Sequence, residues 1–167
     1  DSLITNILLS DKMSSPYSNL NLKTIALSSL INEAIEMTFV KNVNIAFLIK
    51  KTTKVRVDII KMSVAIKNLL ENAYKYSLNN DTIKIKVFEE NKNILISVID
   101  SGPGVDENII KNITKAFIRG ENQPAINQGF GLGLSICKKV IVAHGGAITI
   151  INNEKKPGSC FTLSFPK

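Results

Sequence analysis

A chain of 167 residues with 44% hydrophobic content can bury one substantial core and at most a small appendage. No apolar run approaches a membrane span, DSLITNILLSDKM lacks the basic leader of a signal peptide, and Cys137 and Cys160 have neither metal-ligand spacing nor disulfide-scaffold density, so the chain reads as a soluble cytosolic piece with reduced thiols. The net charge of +7, from 21 basic and 14 acidic residues, admits an anionic ligand; the lysines are scattered outside KKTTKVR and are not interleaved with aromatics, which argues against nucleic acid.

Leu3, Ile4, Ile7 and Leu8 recur at helical spacing before SSPYSNLN breaks the pattern, which predicts the end of a helix over residues 1–15 and a linker over 16–23. The stripe Leu27, Leu30, Ile31, Ala34, Ile35 and Thr38 predicts a helix over 26–39, and VNIAFLI and KVRVDI read as short strands. A longer helix is expected over 59–77, with Met62, Ala65, Ile66, Leu69, Leu70 and Ala73 on its apolar side. Two alternating strands follow, carrying Ile83, Ile85 and Val87, then Ile94, Ile96 and Val98, around EENKN. Residues 101–128 read as a long connection with one short helix near 107–116, and connections of that length usually serve a function. The run NQGFGLGLSIC opens a helix that continues to about 143 and stops at AHGG; AITII and SCFTLSF end the chain as strands. These elements predict an α/β (α+β) two-layer sandwich over 24–167, one mixed sheet covered on one face by helices.

Three stretches carry chemistry. Gly129, Gly131 and Gly133 bare the backbone at the mouth of a helix whose first N–H groups are free, which suits phosphate; taken alone, the stretch is equally a flexible loop. The alternating glycines fit neither a dinucleotide fingerprint nor a Walker loop. Asn68, Asn72 and Lys75 share one helix face, where an amide oxygen could ligate Mg²⁺ and the ammonium could meet phosphate, a hydrated polar face being the alternative. Asp100 has the parity of Ile94, Ile96 and Val98, so its carboxylate points to the core side and needs donors, from its own turn or from a ligand such as adenine.

In order along the chain, NLLENAYKYS, DSGPG, AFIRG, GFGLGLS and PGSCF resemble the motifs of the ATP-binding catalytic domain of bacterial sensor histidine kinases, in the superfamily of gyrase, heat-shock chaperone and mismatch-repair ATPases. Residues 1–15 resemble the end of the dimerisation and phosphoacceptor domain that precedes this module. The resemblance implies a Bergerat-type fold with a mobile lid, binding ATP and Mg²⁺. It implies Asn72 as the metal ligand, Lys75 as a phosphate contact, Asn68 beside the triphosphate and Tyr76 along the nucleotide. Asp100 would accept from the adenine amine with Ser159 in support, and Gly102 and Gly104 would let the chain pass close by. Phe117 and Arg119 remain of the phenylalanine motif, Arg119 joining Asn68 and Lys75 as the catalytic set; Gly129, Gly131, Leu132, Gly133 and Leu134 would end the lid and receive the phosphates. Thr114 and Lys115 depart from that motif, which bears on lid closure rather than on ATP binding.

In the related ATPases a Glu stands four residues before the metal-binding Asn; here that position is Asn68, and an amide is no general base. Glu71 lies about 100° around the helix from Asn72 and is a poor substitute. The resemblance therefore implies that ATP is held for a histidine of a separate acceptor domain. His144, the chain's single histidine, sits in AHGG at a helix end, where capping or packing is expected, and no His-Glu acceptor pattern is present. The implied partners are that acceptor domain, a response regulator and a second copy of the full-length protein, with the domain on the cytoplasmic side of an inner-membrane sensor. An ATP-sensing module without phosphotransfer is the alternative.

Overall fold

The computed structural model describes residues 19–77, 82–110, 132–153 and 157–167. Its centre is set by two runs of period two. Strands β4 (Ile83–Glu90) and β5 (Asn93–Ile99) pair antiparallel through a turn whose two residues, Asn91 and Lys92, both have positive φ, the backbone twist that a tight hairpin favours. Ile83, Ile85, Val87, Ile94, Ile96 and Val98 are buried while Lys84 and Lys86 are exposed, so one face of the pair is dry.

Strand β7 (Ser159–Pro166) extends this face with Phe161, Leu163 and Phe165, and β6 (Ala147–Asn152) lies beyond it. On the other side β2 (Val43–Phe47) pairs in parallel with β4, giving a mixed five-stranded sheet of order β2-β4-β5-β7-β6. Helices α1 (Leu27–Glu36), α2 (Ile59–Tyr76) and α4 (Gly133–Ala143) turn their apolar stripes to the common core, and α3 (Glu107–Ile110) is a single turn. Each fully buried Leu or Ile side chain in this core contributes about 1.5–3 kcal/mol.

Helix ends are tied by long-range bonds. The first N–H groups of α1 donate to Thr53 O at 2.9 Å and Lys51 O at 3.2 Å in place of a side-chain cap. The helix stops short of the predicted residue 39 because the Thr38 hydroxyl takes the Ile35 carbonyl at 2.9 Å and accepts Val40 N–H at 3.1 Å, fixing a turn. Asp58 caps α2: Oδ1 accepts Lys61 N–H at 3.1 Å, and Oδ2 accepts Asn21 N–H at 3.0 Å.

Strand β3 (Lys54–Asp58) pairs with β1 (Leu22–Ala26) in a separate two-stranded sheet rather than joining the large one. Alternation marks Val55 and Val57 as buried but does not name the strand they pair with. Strand β1 takes in Leu22 and Lys23, where a linker is expected; it runs directly into the stripe of α1, so the helical period masks its own.

Candidate functional site

The C-terminal half of α2 carries Asn68, Asn72 and Lys75 at the spacing that sets them along one face, with Tyr76 ending the helix one turn beyond Asn72. Asn68 is 7% exposed, and its Nδ2 is buried with no hydrogen-bond partner among the described residues. The start of α4 lies against it: a β-carbon built on Gly133 would sit 3.7 Å from Asn68 Cβ and Cγ. Asn72, Lys75 and Tyr76 are half-buried, with the Lys75 ammonium 5.0 Å from the centre of the Tyr76 ring. Leu132 is buried as the residue before α4, and Leu134 is half-buried in its first turn.

Asp100 follows the end of β5 and is 5% exposed, on the core side as its parity predicts. Its carboxylate is held by protein donors: Oδ1 accepts Gly102 N–H at 2.8 Å and Ser159 N–H at 3.1 Å, and the Ser159 hydroxyl donates to Oδ2 at 2.7 Å. The turn-capping alternative is thus realised in the Gly102 bond. Oδ2 nevertheless has one protein donor among the described residues and keeps acceptor capacity.

The loop after Asp100 is fitted to the end of α2. A β-carbon on Gly102 would lie 2.4 Å from the Tyr76 carbonyl oxygen, so a side chain there would drive the two apart. Next in sequence to this touching pair, the Ser77 and Ser101 hydroxyls are also buried without a partner among the described residues. Gly104 has φ +86°, a left-handed conformation that favours glycine.

The structure therefore brings Asn68 to Gly133, Tyr76 to Gly102, and Asp100 to Gly102 and Ser159. Phe117, Arg119, Gly129 and Gly131 lie outside the described residues. Gly158 falls in the PGSCF motif without a role of its own in the sequence reading, and two site neighbours, Asn152 and Asn153, are not signalled there beyond the paired asparagines ending β6.

Seen as chemistry, the arrangement sets an amide donor with no partner among the described residues against a helix start, an ammonium two turns further along α2, and a buried acceptor carboxylate beside the C-terminal end of that helix. A family model described as Histidine kinase-, DNA gyrase B-, and HSP90-like ATPase matches residues 57–167. The chain belongs to this family. Sensor protein KdpD of Clostridium acetobutylicum is 32% identical over 169 residues, covering 99% of this chain and 19% of that protein. The adaptive-response sensory kinase SasA of Synechococcus sp. (strain CC9311) is 37% identical over 114 residues, covering 68% of this chain and 30% of that one. The chain thus spans less than half the length of these curated relatives. Among solved structures, the catalytic domain of histidine kinase ThkA superposes with TM-score 0.72 at 28% identity, covering 89% of this chain and 99% of that one. Full-length ShkA in complex with AMPPNP superposes with TM-score 0.78 over 99% of this chain and 35% of its own; at 22% identity this likeness concerns the fold. The relatives are sensor kinases and the structural neighbours histidine kinase catalytic domains, so the two-layer sandwich is that of a histidine kinase ATPase domain.

Proposed function

We propose that this domain binds ATP with Mg²⁺ and presents the γ-phosphate to a histidine on a separate acceptor domain of the same protein. The observation that carries the reading is Asn68 Nδ2, a buried donor with no partner among the described residues, set against the start of α4. Leaving such a group unsatisfied costs about 1–3 kcal/mol, and a phosphate oxygen would satisfy it. The N–H groups of the first turn of α4, which have no partner within the helix, favour the same anion. At the other end, the exocyclic amine of adenine would supply a donor to Asp100 Oδ2, while Gly102 lets the Asp100 loop pack against the end of α2.

When bound, Mg²⁺ would supply positive charge to offset that of the phosphates. Asn72 Oδ1 would hold it, an amide oxygen suiting an ion that accepts few protein ligands. Lys75 stands one turn further along and would balance phosphate charge. Because position 68 holds an amide, no side chain there can take a proton from water, and the phosphoryl group is kept for another nucleophile. Phe117, Arg119, Gly129 and Gly131 would complete the lid.

The whole protein would be a homodimeric two-component sensor, with this domain on the cytoplasmic side and a response regulator downstream. Among the described residues no helix is long and apolar enough to cross a membrane. Calorimetry with ATP and Mg²⁺ tests the nucleotide half: Asp100→Asn should weaken binding by about 2 kcal/mol, since the amide can present NH₂ where an acceptor is required. Unchanged affinity would remove the adenine assignment. Joining the chain to its acceptor domain tests the other half: acid-labile, alkali-stable label from γ-labelled ATP should appear there and stay off the isolated domain. ATP binding without any such label would leave the domain a nucleotide sensor.

A further inference from the structure

The end of β6 reaches across to the loop that carries Asp100. The Asn152 side chain makes two bonds to a single distant residue: Oδ1 accepts Val105 N–H at 2.7 Å and Nδ2 donates to Val105 O at 2.7 Å. One amide side chain thereby reproduces the paired exchange that a neighbouring strand would make. The next residue holds the loop's other end, with Asn153 Nδ2 donating to Asp100 O at 3.3 Å and Asn153 N–H to Gly158 O at 3.0 Å. Asn152 also lies in register with Ser159, the residue that donates twice to the Asp100 carboxylate.

The loop between these two anchors contains Gly102, pressed on Tyr76, and Gly104, whose left-handed backbone approaches Asn152 so closely that a β-carbon would lie 3.0 Å from Oδ1. A loop with two glycines has many conformations available and keeps one only if its ends are held. We propose that Asn152 is a positioning residue for base recognition: by clamping Val105 it fixes the Asp100–Val105 loop so that the carboxylate meets the exocyclic amine of adenine in one geometry. The assignment rests on the nucleotide reading above and adds to it the device that sets its selectivity.

The experiment compares ATP with inosine triphosphate, which carries a carbonyl in place of the amine, by calorimetry on the whole chain with Mg²⁺. In Asn152→Ala the ATP affinity should fall about tenfold while the inosine triphosphate affinity changes by less than about threefold, so the preference for ATP shrinks. Amide exchange at Val105 should accelerate in the same protein without nucleotide. Asn152→Asp keeps the acceptor but sets a carboxylate against Val105 O, so it should not restore the preference. An ATP preference equal to wild type in Asn152→Ala, whether or not both affinities fall, would reduce Asn152 to a structural residue and overturn the proposal. Asp100→Asn separates the two levels: if it abolishes the preference and Asn152→Ala does not, the positioning role alone fails. If Asp100→Asn leaves the preference intact, the base-reading assignment fails and the positioning role with it. Should Asn152→Ala melt far below wild type, Asn152→Leu, which keeps the side-chain volume and removes both bonds to Val105, supplies the same comparison.

Discussion

The α-carbon of Gly158 lies against the main-chain carbonyl of Asp100: a β-carbon built there would sit 2.1 Å from that oxygen and 2.6 Å from Asn153 Nδ2, at a φ of +129°. Neither obstacle is the tip of a free side chain, since the carbonyl follows β5 and Asn153 is itself bonded to it. Gly158→Ala should therefore lower stability by about 2 kcal/mol or more in urea unfolding, through backbone strain and displacement of the Asp100 turn. Gly133→Ala is the contrast. Its β-carbon would make ordinary contact with Asn68 at 3.7 Å, so stability should stay within about 0.5 kcal/mol of wild type while ATP affinity falls. Equal stability of Gly158→Ala and wild type would show that the turn can move.

Asn72 is half-buried on the face that also carries Asn68 and Lys75, and the Asp100 loop touches α2 at Tyr76, one turn further on. Asn72→Ala should lower ATP affinity in Mg²⁺ by about 1–3 kcal/mol and little in its absence, while adenosine binding stays as it was. Titrations of both ligands with and without metal check this. Loss of adenosine binding as well would make Asn72 a structural residue.

Local pattern made much of this fold readable. The stripe from Met62 to Ala73 marks α2, and the parity of Asp100 with Val98 places its carboxylate inside. What the pattern lacks is the identity of distant partners. The donors to Asp100 are expected from its own turn or from a ligand; the turn supplies Gly102 N–H, yet the other two come from Ser159, brought near because β7 pairs with β5. Strand β3 shows the same limit, since its alternation fits either sheet. Asn152 and Asn153 read as ordinary turn residues, because their bonds to Val105 and Asp100 span a stretch of chain that no local period reports.

Cys137 is fully enclosed between helices, its thiol donating to Ala65 O at 3.2 Å. Desolvation by burial pushes the thiol from 9.0 up to about 12, outweighing a smaller opposing contribution from the backbone. The folded state keeps its proton where the unfolded chain would lose it. The stabilisation is therefore complete below pH 9.0 and is lost as pH rises from there through about 12. Urea unfolding of Cys137→Ala across this window should show a shallower alkaline decline than wild type, from a lower starting stability because of the cavity. At pH 8 a maleimide should label the half-buried Cys160 and leave Cys137 untouched until denaturant is added. Rapid labelling of native Cys137 would contradict this.

His144 ends α4, where its backbone N–H donates to Val140 O at 3.2 Å and Ile141 O at 3.1 Å. Its ring spans two elements. Nδ1 lies 2.8 Å from Val140 O, which requires the proton on Nδ1, and Nε2 accepts the Asp58 N–H at 3.0 Å. Asp58 in turn caps α2 and takes the Asn21 N–H, so the ring joins the end of one helix to the start of another. A nitrogen that attacks phosphorus needs a free lone pair, and the one on Nε2 is engaged inside the fold. His144→Phe keeps the volume but leaves the Asp58 N–H without an acceptor, so unfolding should become easier by about 1–3 kcal/mol. In the chain joined to its acceptor domain, the same substitution should leave phosphohistidine formation intact under conditions where the protein is folded. Label on the isolated domain that disappears in His144→Phe would make this ring the acceptor and overturn its assignment as a clasp between α4 and α2.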